Sequence, residues 1–166
     1  MKEVYVIRFL DVSENIHLIS YSFISFFLPF LLAHPQWFVG IVVNAMLISS
    51  AMHIKGWKIL PVIVFPSIAV LSRGLIFGPF SIYLLYFMPF IWAGNWMMVI
   101  FMRKTKSYWK SASFGIVAKS LFLFLIAVIL VSLKIVPAIF LMAMGPMQLL
   151  TATGGSFLAR PLFKKI

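Results

Sequence analysis

Apolar residues run in long stretches separated by short polar ones, at about 16–33, 36–54, 59–71, 79–102, 111–133 and 135–159. Runs of this length predict membrane-crossing helices, because about 20 residues cover roughly 30 Å of hydrocarbon. The third run, Ile59 to Leu71, makes a helix only about 20 Å long and carries Pro61 and Pro66, so a short or kinked span is expected there. Residues 1–15 mix Val4, Val6, Ile7, Phe9, Leu10 and Val12 with Lys2, Glu3, Arg8, Asp11 and Glu14, and follow neither helical nor alternating periodicity. They read as an interfacial segment. The expected fold is therefore all-α integral membrane: a six-transmembrane-helix bundle over 16–160, followed by a basic tail at 161–166. No repeat at a fixed offset is visible, as the inverted-repeat transporters would require.

Loop charge sets the orientation and the number of crossings. With six spans and an inner N-terminus, the inner side receives Lys2, Arg8, Lys55, Lys58, Arg103, Lys104, Lys106, Lys110, Arg160, Lys164 and Lys165, and the outer side only Arg73 and Lys134. That is the direction insertion favours. Omitting the third span would carry R-K-T-K-S-Y-W-K to the outside, so the reading is N-in/C-in with the third span counted.

Composition narrows the function. The chain has 166 residues, 63% hydrophobic and 10% charged, with a mean hydropathy of +1.10. A separate soluble domain does not fit, and the lipid bilayer is the first partner. A formal charge of +11 would suggest nucleic acid on a soluble chain, but here the basic residues sit in loops facing an anionic leaflet, so no nucleic acid is expected. Cysteine is absent, which removes disulfides and thiolate-bound metals. Glu3, Asp11 and Glu14 are the only carboxylates and all precede the first apolar run. No paired-carboxylate site, ATPase motif or acidic proton relay can lie within the spans, and no enzyme activity or cofactor is expected. The start of the chain lacks the basic opening and A-x-A exit of a cleaved signal, and is read as carrying no targeting peptide.

Asn44, Asn95, Lys119 and Gln148 lie on four different spans, all within about 7 Å of the midplane at 1.5 Å per residue. Single amides commonly join neighbouring helices. Lys119 is different, because a central ammonium costs roughly 3 kcal/mol and no span offers it a carboxylate. Three outcomes are open: its stem carries it to the inner headgroups, it is solvated by freed carbonyls or a partner's acid, or it enters a water-accessible pocket for a small anionic or polar solute. In the third case Asn44, Asn95 and Gln148 would orient the ligand. Tyr83, Tyr86, Trp92 and Trp96 on the fourth span would supply walls and donors, and Arg73 would meet the solute from outside. Trp37 and Trp57 read as interface anchors.

Two histidines, His17 and His53, are expected near the inner surface, and His34 in an outer loop; without a third ligand they make a poor metal site, so none is assigned. Gly74, Gly78 and Pro79 fit a mobile re-entry loop. Small residues of the last run, among them Ala152, Gly154, Gly155 and Ala159, allow either close packing within the bundle or a docking face.

The stretches V-G-I-V-V-N (39–44), P-S-I-A-V-L-S-R-G-L-I-F-G-P (66–79) and G-P-M-Q-L-L-T-A-T-G-G (145–155), set in six spans with a short third one and a basic fourth loop, resemble the S component, the substrate-capture subunit, of energy-coupling factor (ECF) type vitamin transporters. The resemblance covers about Ile16 to Arg160 and is architectural. It implies a vitamin-binding subunit of a prokaryotic cytoplasmic membrane, without its own ATPase, served by a transmembrane coupling subunit and cytosolic ATPases. The first span, H-L-I-S-Y-S-F-I-S-F-F-L-P-F, departs from the family's A-x-x-x-A docking spacing, and Lys2 stands where the metal-transporting branch has histidine. A reading from another class is a non-catalytic structural or anchor subunit of a larger, redox-linked membrane complex.

Overall fold

The computed structural model describes residues 2–32, 35–74, 82–104 and 107–162, with side chains from Ser13 onward. Among these residues there is no strand. The helices are α1 (Lys2–Leu31), α2 (Gln36–His53), α3 (Leu60–Arg73), α4 (Leu84–Lys104), α5 (Tyr108–Ser132), α6 (Ile139–Met144) and α7 (Pro146–Ala159). Among the described residues, four segments are long and apolar enough to cross a bilayer: Gln36–His53, Gly56–Arg73, Leu84–Lys104 and Tyr108–Ser132. The remaining two apolar runs form α1 and the pair α6 and α7. Residues Gly78 and Pro79 of the expected re-entry loop, His34 and the end of the basic tail lie outside the described residues.

Helix α1 passes without a break from Lys2 through the boundary read at residues 15 and 16. The third run gains length from a 3₁₀ turn, Gly56–Ile59, that leads into α3. Pro61 falls in the first turn of α3, where its missing N–H is not needed, whereas Pro66 lies inside. Gly74 ends this helix at φ +67, its N–H reaching the carbonyls of Val70 (3.0 Å) and Leu71 (3.1 Å); left-handed backbone of this kind suits glycine.

The sixth run, expected as one span, is divided. Gly145 stands between α6 and α7 at φ −106, ψ −96, and a Cβ there would lie 2.6 Å from Phe124 and 2.9 Å from the Leu141 carbonyl. Only glycine fits, and Pro146 then opens α7 with no N–H to place. At the other end of this run, α5 closes in a Schellman turn: Ile135 N–H bonds the Leu130 carbonyl and Lys134 N–H that of Val131, both at 2.9 Å. Lys134 carries the positive φ, +58. Lys134→Gly is therefore expected to stabilise the protein by about 0.5–1 kcal/mol, read as a higher apparent Tm in detergent.

Two apolar clusters fill the interior. One gathers Tyr21, Ile48, Ile59, Met98, Tyr108 and Ile116; the other gathers Leu84, Phe87, Leu123, Val136, Phe140 and Met144, with the Phe87 and Phe140 rings stacked 5.0 Å apart. Along α5 the first cluster ends at Ile116 and the second begins at Leu123, leaving Lys119 between them. Along α4, Asn95 occupies the same position between Phe87 and Met98. The polar side chains thus form a layer between two dry cores.

Small residues set the closest approach, that of α7 on α2. A Cβ on Gly155 would meet Asn44 Cβ at 2.7 Å and the backbone of Ala45 and Ile41 at 2.8 and 2.9 Å. Ala152 and Ala159 are buried on the same face. The small residues of the last run are engaged inside the chain.

At the end of the bundle holding the C-terminus of α2, Arg103 of α4 donates to the carbonyls of Ile54 (2.7 Å) and Ala51 (3.2 Å). These belong to the last turn of α2 and the residue that caps it, where carbonyls lack helical partners. Arg103→Met is expected to cost about 1–2 kcal/mol, seen as a lower apparent Tm with ligand affinity unchanged.

Candidate functional site

Lys119 is the centre of the polar layer. It is 3% exposed, its stem passes Gly94 of α4, and its Nζ donates to Asn44 Oδ1 at 2.7 Å. No other polar partner exists for it among the described residues. Glu14, the one carboxylate among the described side chains, lies near the middle of α1, beside the connection from α2 to α3, accepting from the Lys55 backbone N–H (2.8 Å) and facing Lys58 Nζ (3.7 Å). The ammonium thus has two further N–H groups and no counter-ion among the described residues.

Asn44 is held from both sides. Its Nδ2 donates to the Gly40 carbonyl (2.9 Å) and to Thr151 Oγ1 (3.3 Å), which leaves Oδ1 as the acceptor that points at α5. Thr151 in turn donates to the Met147 carbonyl at 2.8 Å. Because Gly40, Gly154 and Gly155 bring α2 and α7 together, Thr151 reaches Asn44 directly and fixes the orientation of the amide.

Asn95 and Trp92 support the opposite wall. Asn95 Nδ2 donates to the Ile63 carbonyl at 3.0 Å, in the turn of α3 before Pro66. Trp92 Nε1 donates to Ser67 Oγ at 2.7 Å, and Ser67 donates to the Val64 carbonyl at 2.9 Å.

These groups border a cavity of about 130 Å³. Its wall includes Pro29 of α1, Gln36, Val39, Gly40 and Asn44 of α2, Pro66, Ser67 and Val70 of α3, Leu84 and Asn95 of α4, Lys119 of α5, Met144 of α6, and Gln148 and Thr151 of α7. Every described helix contributes. The lining from α1 comes from its C-terminal part, that from α2 and α4 from their N-terminal parts. The cavity therefore lies in the half of the bundle that holds the connection between α1 and α2, with Asn44, Asn95 and Lys119 toward the middle.

Of the residues singled out from the sequence, Asn44, Asn95, Lys119 and Gln148 share this wall. The structure does not bring Arg73, Tyr83, Tyr86, Trp92 or Trp96 to it. Arg73 donates to the Phe30 carbonyl and ties α3 to the end of α1. Tyr83 meets the Phe140 ring, centroids 6.3 Å apart, Tyr86 is 53% exposed, and Trp96 stacks on Trp57 at 4.6 Å. Trp92 stands behind Ser67.

Sequence reasoning missed Thr151, Ser67, Gln36 and Gly40. For three of them helical spacing was a signal: Thr151 follows Gln148 by three residues, and Gln36, Gly40 and Asn44 recur at four. Ser67 had no such signal, since its role depends on Trp92 from another helix.

A second polar group lies at the opposite end of α2. The His17 and His53 rings stack at 4.7 Å, and His53 Nδ1 lies 2.8 Å from the Ser49 carbonyl and 3.1 Å from Tyr21 Oη. Among the described residues no three His, Cys, Asp or Glu side chains gather as a metal site. No protein-family model, curated protein or solved structure matches the chain.

Proposed function

We propose that this protein is the membrane-embedded solute-binding subunit of an ECF-type transporter, a six-span, N-in/C-in bundle of a prokaryotic cytoplasmic membrane that captures a small solute and has no ATPase of its own. The observation that carries this reading is the Lys119 ammonium, buried at the wall of a cavity bordered by every described α-helix, with one amide acceptor and no carboxylate partner among the described residues. A structural lysine inside a membrane pairs with an acid or escapes to the surface; one left beside a cavity with open donors is arranged for something that enters. In the N-in arrangement the cavity lies in the outer half of the membrane, on the side from which a captured solute arrives. Reorientation of the bundle against a coupling subunit, driven by cytosolic ATPases, would then release it inward.

Lys119→Met tests this reading. The variant is expected to bind solute at least about tenfold more weakly while its apparent Tm changes little, because an uncompensated charge is removed along with one hydrogen bond. Native mass spectrometry of the wild-type protein gently extracted from its own membrane should show a retained small molecule and co-purifying ATPases. Stable attachment to an electron-transfer assembly, with an acid of that assembly against Lys119, would instead establish the anchor role.

A further inference from the structure

The lining of the cavity specifies a ligand class more narrowly than "small solute". Among the described residues that border it, Lys119 is the one ionisable group. A second charge on the ligand would be buried without a partner, which burial penalises. Neutral polar capacity is also limited. Asn44 is engaged with Lys119, Gly40 and Thr151, and the Thr151 and Ser67 hydroxyls donate to their own helices. The open groups are two N–H of Lys119, part of the Asn95 amide, and the amides of Gln148 and Gln36, the last at the other end of the wall. Most of the remaining surface is aliphatic, including Val39, Val70, Leu84 and Met144. The volume, about 130 Å³, holds on the order of ten water-sized groups.

Resting on the solute-binding reading, we infer that the ligand is a small monovalent organic acid of about ten heavy atoms in all: one anionic group seated on Lys119 Nζ beside Asn95 and Gln148, and an apolar body against the aliphatic wall. Two sources supply this chemistry, a water-soluble carboxylic acid and a short- or medium-chain fatty acid drawn from the bilayer.

A set of six-carbon probes matched in length tests the charge rule on the purified full chain: hexanoate, adipate, hexanamide and hexylamine, read by ligand-induced shift in Tm and by calorimetric titration. Hexanoate is expected to bind at least about tenfold more tightly than the other three. Its binding should be lost in Lys119→Met and in Lys119→Gln, the second variant keeping a donor for Asn44 should the first not fold. Equal or tighter binding of hexanamide, adipate or hexylamine overturns the inference.

In parallel, the protein is incubated with aqueous and with organic extracts of its host cells, washed and denatured, and the released molecules are identified by mass spectrometry. A monoanion recovered from the aqueous arm identifies a soluble acid, and one from the organic arm a membrane-borne acid. A retained neutral, cationic or dianionic molecule overturns the monoanion rule and leaves solute capture standing. No probe bound and nothing retained in either arm overturns both.

Discussion

Asn44→Leu is expected to be among the most destabilising single changes in this protein, costing about 3–5 kcal/mol. The leucine leaves the Lys119 ammonium without its one acceptor, and removes the donor to Gly40 and Thr151. A buried charge stripped of its partner costs more than the pair contributes when intact. The decisive measurement is a double-mutant cycle on apparent unfolding free energy in detergent. Lys119→Met in the Asn44→Leu background should recover most of the loss, giving a coupling of at least about 2 kcal/mol, although neither residue is then polar. Additive losses would show that the ammonium is solvated by something other than Asn44, and would remove the basis for a binding site at that position.

Gly155→Ala is the second large effect, and its size follows from what the new methyl meets. Two of the three nearest atoms, Ala45 N at 2.8 Å and Ile41 O at 2.9 Å, are backbone of α2, so relief requires the two helices to separate. Overpacking of this kind costs about 1–3 kcal/mol or more, against about 1 kcal/mol gained from helix propensity. Separation also draws Thr151 away from Asn44, so ligand affinity should fall with stability. Two controls grade the effect. Gly154→Ala meets only the Ile41 side chain, at 2.8 and 2.9 Å, which can rotate. Gly94→Ala makes ordinary contacts of 3.4 Å and beyond with Lys119 and Leu123, and should be neutral or slightly stabilising. A loss for Gly94 as large as that for Gly155 would contradict the packing described here.

Four of the candidate site residues could be read from the sequence because each is polar in an apolar run, and polarity inside a membrane must be compensated wherever it lies. Depth alone then placed Asn44, Asn95, Lys119 and Gln148 near one another. The aromatic candidates had no such constraint. Lipid tails are as apolar as a protein core, so the pattern of α4 does not say which of its rings face inward. The fold contains Phe87 at 0% exposure and Tyr86 at 53%, one residue apart, and turns Trp96 toward Trp57 and away from the cavity. The break at Gly145 was equally hidden: glycine and proline are tolerated in membrane helices, and the approach of Phe124 from α5, which leaves no room for a Cβ at Gly145, is visible only in the fold.

By itself, then, the amino-acid sequence determined the solvent this protein lives in, its helical character and the poverty of its spans in carboxylates, because these follow from composition and run length against the thickness of a bilayer. Tertiary structure alone decided that α2 and α7 meet through glycine, that Thr151 orients Asn44 and Asn44 receives Lys119, and that the cavity opens between them. Those choices depend on which faces of all-apolar helices pack together, and side-chain fit settles that where hydrophobicity is equal on every side.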